Sequence, residues 1–84
     1  MNRYIVLIGH DGSAPKYPIK FSAASYKDAY FVAGQKIIEK YPDLSDEECN
    51  LISEADMDNW DNICDQIFDI NGFNISDVTE VDDD

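Results

Sequence analysis

The sequence predicts a small α+β domain, an antiparallel sheet carrying two helices in the order β-β-α-β-α, with an optional edge strand at the C-terminal end. Three patterns lead there. Tyr4-Ile5-Val6-Leu7-Ile8 is a short β-branched run bounded by Gly9, Ile19-Lys20-Phe21-Ser22-Ala23 alternates apolar with polar, and apolar residues recur at helical spacing over 26–41 and 57–68. The 84 residues make one domain on size, read as residues 1–81 with Asp82-Asp83-Asp84 as an acidic tail. A hydrophobic content of 44 %, with five Tyr, four Phe and one Trp, is too apolar for a chain disordered throughout.

The first run reads as a buried central strand and Ile19 to Ala23 as a half-exposed one. Asp11-Gly12-Ser13-Ala14-Pro15 supplies turn residues between them, giving an antiparallel hairpin with a long connection. Ser25 then opens a helix, because Ser25-Tyr26-Lys27-Asp28 places a hydroxyl at the N-cap and a carboxylate three residues on. Tyr26, Tyr30, Ala33, Gly34, Ile37, Ile38 and Tyr41 share one helical face, expected to form most of the core, and Pro42 closes the helix.

Residues 44–55 carry two competing signals. Ser45-Asp46-Glu47-Glu48 could cap a helix, whereas Cys49-Asn50-Leu51-Ile52-Ser53 fits a third strand after an acidic turn; the strand is the preferred reading. Met57, Trp60, Ile63, Cys64, Ile67 and Phe68 then fall on one helical stripe, with Asn71-Gly72 as its stop. Phe73 to Val81 would supply the optional edge strand, blunted by the terminal aspartates.

Charge is divided sharply along the chain. Residues 1–42 hold all six Lys and Arg against Asp11, Asp28 and Glu39, a balance of +3, while residues 43–84 hold the other fifteen of the 18 acids and no base. A segment so charged repels itself, and a cationic partner would relieve it. Asp58, Asp61, Asp65 and Asp69 lie within about 80° on a helical wheel, with none of the usual i, i+4 partners of opposite sign. Asp46, Glu47, Glu48, Glu54 and Asp56 precede them, and these nine acids are the expected partner-binding residues.

The four helical carboxylates would span roughly 16 Å, one charge per roughly 5 Å against one per roughly 1.7 Å of duplex DNA. One helix alone is too sparse to imitate nucleic acid. The preceding acids and the tail would have to share its side. The alternative use of acid is solubility, with function on an apolar patch around Val32 or the edge strand.

Other chemistry is weakly marked. Asp69 to Glu80 has the length of a calcium-binding loop and acids at its ends, yet Phe73 stands where an oxygen is needed and Asn74 where glycine makes the turn. His10-Asp11 is better explained by turn formation than by acid-base catalysis, with no nucleophile beside it. Cys49 and Cys64 have no metal-type spacing and read as buried free thiols. No catalytic residue, cofactor or metal is expected. The only strongly apolar run near the start is five residues long, so the chain is expected to be a cytoplasmic protein with no signal peptide and no membrane span. Its charge makes it a poor ligand for nucleic acid itself, and it is expected to be a monomer or small homo-oligomer.

Small size, excess acid, an aromatic-rich core and no catalytic signature resemble the small phage-encoded anti-defence proteins, the anti-CRISPR and DNA-mimic inhibitors. The resemblance is to a class and rests on general character. It implies a non-enzymatic inhibitor whose partner is a basic nucleic-acid-binding protein or complex.

Overall fold

A computed structural model describes residues 2–81. The expected tail, Asp82 to Asp84, lies outside these residues. β1 (Asn2–Gly9) pairs antiparallel with β2 (Tyr17–Ala23) along its length, from Asn2 opposite Ala23 to Ile8 opposite Tyr17. Alternation puts Tyr4, Val6, Ile8, Ile19, Phe21 and Ala23 on the buried face. Ile5 and Leu7, half-buried, lie on the other with Arg3, Lys20 and Ser22.

The connection turns through Asp11 (φ 55°) and Gly12 (φ 78°), both left-handed, and Gly12 N–H donates to Gly72 O (2.8 Å). This tie joins the hairpin loop to the far end of the chain. His10 is ringed there by Tyr17, Tyr41 and Phe73, with ring centroids 5.3 to 5.5 Å away. It is a packing residue at the end of the sheet.

α1 (Tyr26–Lys40) starts as its sequence signal requires, with Asp28 N–H donating to Ser25 Oγ (3.2 Å). Its buried face is Ala29, Tyr30, Ala33, Gly34 and Ile37; Tyr26 is exposed, while Ile38 and Tyr41 are half-buried. Val32, considered above as a surface patch, instead packs against the core, and its neighbour Phe31 is the exposed one.

The third strand expected at 49–53 is not formed. That stretch is helix α2 (Asp46–Ser53), so the sheet carries three helices rather than two. Two causes favour helix. Ser45 and Glu48 form a reciprocal capping box, with three acids in the first turn where the helix dipole favours negative charge. The free edge of β1 that a third strand would need is taken by residues 74–80.

α3 (Trp60–Asn71) is introduced by a tight turn in which Asp56 Oδ1 accepts the N–H groups of Asp58 (2.9 Å) and Asn59 (3.0 Å), while Asp56 N–H donates to Asn59 Oδ1 (2.6 Å). Gly72 ends it in the left-handed conformation (φ 75°), its N–H donating to Phe68 O (2.7 Å). Trp60, Ile63 and Ile67 are buried as expected, and Cys64 is half-buried. Met57 precedes the helix, and both Met57 and Phe68 are exposed.

The optional edge strand forms in two pieces, β3 (Asn74–Ile75) and β4 (Thr79–Glu80), both antiparallel to β1. Ile75 pairs with Ile8 and Thr79 with Ile5, so three residues, Ser76 to Val78, oppose two, Leu7 and Val6. That extra residue is a β-bulge. The sheet runs β2-β1-β3 with β4 also on β1; α1 packs on β2, α3 on β3 and α2 on both of those helices, all sharing one core.

Candidate acidic interaction surface

The acids of the second half do different work. Asp46 and Glu47 are exposed at the start of α2, and Glu54 is exposed just after it. Glu48 is 3 % exposed and faces inward. Its Oε1 accepts from Ser45 N–H (3.2 Å) and Ser45 Oγ–H (2.9 Å), and its Oε2 from Asn71 Nδ2 (2.6 Å), bracing α2 against the end of α3. Glu48 is therefore a structural carboxylate and leaves the expected partner-binding set, because it is buried and both of its oxygens accept hydrogen bonds from the fold.

Asp58 also departs from expectation. It lies in the turn before α3, so the helix carries three exposed acids in register, Asp61, Asp65 and Asp69, spanning about 12 Å of axis. Asp56 is exposed, with its carboxylate engaged by the turn it organises.

The bulge brings in an acid that the helical wheel did not find. Asp77 lies close enough to Asp61, in the first turn of α3, for the two carboxyls to interact. Although the residue as a whole is exposed, loss of water around its carboxyl, the hydrogen bond to Asp61 and the charge of Asp61, in that order, raise its pKa above the ordinary carboxylate value. No pattern within 73–81 marked it, since its neighbour is set by the bulge rather than by sequence spacing.

The same field acts on groups below it. Burial, followed by the charges of Asp61, Asp77 and Asp65, pushes the Cys64 thiol up to about 12. Burial and the hydrogen bond with Tyr26, then the nearby charges of Tyr26, Asp77 and Asp61, raise the Tyr30 hydroxyl. Asp61, Asp65 and Asp77 thus act together on Cys64.

Lysine side chains do not offset this field. Among the described residues no lysine comes within ion-pair distance of any acid from 43 to 81; Lys36 pairs with Glu39 (3.7 Å) inside α1. Nor do any three His, Cys, Asp or Glu side chains among the described residues take a metal-holding arrangement. Asp69 to Glu80 spans the end of α3, the Gly72 stop and the two short strands, which is not a calcium-loop geometry. No helix among the described residues is long and apolar enough to cross a membrane. No protein-family model matches the chain, and no curated protein or solved structure matches it either.

Proposed function

We propose that this chain is a non-enzymatic inhibitor that acts in the cytoplasm by occupying the basic nucleic-acid-binding groove of another protein, in the manner of an anti-defence DNA mimic. The observation that carries this reading is the group of exposed acids on α2, after it and on α3 that have no lysine in ion-pair reach among the described residues, with Asp77 added beside Asp61. Asp46, Glu47, Glu54, Asp58, Asp61, Asp65, Asp69 and Asp77 are the residues assigned to contact. Such a surface gains energy from the lysines and arginines of a basic partner. The resulting complex would form quickly and weaken steeply with salt.

The test is affinity capture from a nuclease-treated bacterial lysate, eluted in steps of rising salt. Support requires one nucleic-acid-binding protein or complex that elutes below about 0.5 M salt and that added DNA displaces. With that target in hand, Asp61→Lys with Asp65→Lys should weaken binding well over tenfold while the circular dichroism spectrum stays unchanged. Binding unaffected by the double reversal would remove the surface assignment.

A second reading keeps the acid for solubility and puts the contact on α1, where Phe31 is 54 % exposed. An apolar interface of that kind would persist through high salt and be lost on Phe31→Ser.

A further inference from the structure

The two edges of the sheet are built differently. On one side of β1 the C-terminal segment is acidic and interrupted by the bulge. On the other side β2 follows β1 without a break from Tyr17 to Ala23, and among the described residues nothing pairs with its far edge. The ladder decides which backbone groups β2 leaves over. Ser76 N–H donates to Leu7 O (2.9 Å), Leu7 N–H to Ser76 Oγ (2.8 Å) and Val81 N–H to Arg3 O (2.9 Å), so the odd-numbered residues of β1 face the C-terminal segment and the even-numbered ones face β2. Tyr4 stands opposite Phe21 and Val6 opposite Ile19, which makes the odd-numbered residues of β2 the ones bonded to β1. Pro18, Lys20 and Ser22 therefore turn their carbonyls outward, and Lys20 and Ser22 their N–H groups as well. Pro18 has no N–H to leave unpaired, as suits proline on an edge.

Charge along this edge is opposite to that of the chain as a whole. Residues 12–27 carry Lys16, Lys20 and Lys27 and no acid, in a protein of net charge −12. Among the described residues none of these three lysines has an acid within ion-pair distance, and Lys16 lies over the Tyr17 ring (5.1 Å). Lys20 is exposed in the middle of β2, on the face turned away from the core. We infer that the outer edge of β2 is a docking site for an extended acidic strand of a partner protein, which joins the sheet antiparallel to β2.

Such a strand is matched in backbone and in side chains. The incoming residue opposite Lys20 exchanges both backbone bonds with it, the one opposite Ser22 does the same, and the one opposite Pro18 donates to its carbonyl. These side chains fall on the open face at and beside Lys20, where carboxylates are favoured. The two between them fall beside Ile19 and Phe21 on the core side, where apolar groups are favoured. The occupant thus alternates acid with apolar. Lys20 also selects against a second copy of this chain, since two β2 strands paired edge to edge would bring the lysines of both chains together. Repulsion from this chain's own C-terminal segment is weak at the new strand, because three strand spacings, about 14 Å, exceed the screening length of about 8 Å at physiological salt. The edge is separate from the acidic face and does not depend on the inhibitor reading.

Titration of the full chain with synthetic peptides, followed residue by residue by NMR at about 0.15 M salt, tests it. The probes are a blocked peptide of the seven-residue length of β2 that alternates Glu with Val, and its counterpart with Lys in place of Glu. The Glu peptide should bind saturably and slow exchange of the Lys20 and Ser22 amides about threefold or more, while those of Ile19 and Phe21, already bonded to β1, stay unchanged. The Lys peptide should bind about tenfold more weakly or worse, because the attractions to Lys20 become repulsions. Lys20→Glu should weaken the Glu peptide about fivefold or more with thermal unfolding close to the parent's. Ser22→Pro, which removes one outward N–H and keeps the bonds to β1, should weaken it too. Absence of saturable binding, equal binding of the two peptides, or shifts centred away from β2 would overturn the proposal. Self-association of the free chain through the same two amides would overturn it as well, by giving the edge to a second copy.

Discussion

Replacing Glu48 by alanine should destabilise this protein far more than replacing its neighbour Glu47, and the structure supplies the size of the difference. Glu48 is buried and accepts three hydrogen bonds, two from Ser45 and one from Asn71. The Ser45 bonds close the reciprocal cap of α2, a motif whose loss costs about 1 kcal/mol. The 2.6 Å bond from Asn71 goes to a charged acceptor, a class contributing about 1.5–3 kcal/mol, and it ties α2 to α3. Against these stands the relief of no longer burying a carboxylate that has no cation beside it. The net expectation is a loss of about 2–3 kcal/mol.

At about 4–8 °C per kcal/mol for a domain of this size, that is a fall in Tm of roughly 8–24 °C. Urea unfolding followed by far-UV circular dichroism, with Trp60 fluorescence as a second probe, measures it. Glu47→Ala should stay within about 0.5 kcal/mol of the parent, being exposed. A double-mutant cycle with Asn71→Ala isolates the inter-helix bond, and its coupling should exceed about 0.5 kcal/mol. A loss below about 1 kcal/mol for Glu48→Ala, or no coupling to Asn71, would refute the assignment of Glu48 as the brace.

Two further outcomes follow from single positions. Gly9→Ala should destabilise by about 1–3 kcal/mol or prevent folding, because a methyl there would overlap the Ser13 carbonyl oxygen and stand 2.7 Å from that of Ala14, both backbone; thermal unfolding near the parent's would contradict that crowding. In a Cys49→Ser background the Cys64 thiol should react with a disulfide reagent near neutral pH far more slowly than free cysteine, since little thiolate forms with its pKa near 12, and should react normally in urea. A native rate matching the denatured one would mean the thiol is neither shielded nor surrounded by acid.

What the sequence disclosed is what local rules govern. The Ser25 cap, the Tyr26–Lys40 helix and the β1–β2 hairpin need only neighbouring residues to be recognised. The error at 49–53 is instructive because the correct signal was present: Ser45 and Glu48 spell a capping box, and a strand reading of Cys49 to Ser53 ignores whether a sheet edge is free. That edge was assigned by residues 74–80, more than twenty positions later. Glu48 looked like its acidic neighbours because its partner Asn71 is 23 residues away. Asp58 was put on a helix that begins two residues after it, since the Met57 to Phe68 periodicity runs through a turn organised by Asp56. Asp77 escaped because its meeting with Asp61 depends on one extra residue in a bulge, and a register is invisible before its strands are paired.

Those misplacements sharpen the argument about the acid. Local structure accounts for Glu48, both of whose carboxylate oxygens are occupied by the fold, and for Asp56, whose Oδ1 organises the turn before α3. It leaves Asp46, Glu47, Glu54, Asp58, Asp61, Asp65 and Asp69 exposed and without a lysine in reach, and it adds Asp77 against Asp61. A face needed only for solubility is served as well by mixed charge and by wide spacing, since exposed pairs of opposite sign are neutral or mildly stabilising. Placing the Asp77 carboxyl beside the charge of Asp61 works against stability at neutral pH, and the bonds from Trp60 to Ser76 O and from Tyr26 to Val78 O, with Val78 buried, hold the segment despite it. Under the inhibitor reading a lysine or arginine arriving beside Asp77 would favour its ionised form and displace the proton that its raised pKa retains. Binding would then release a proton as well as counterions, so affinity for a basic groove would rise with pH over the range in which Asp77 titrates and fall with salt throughout.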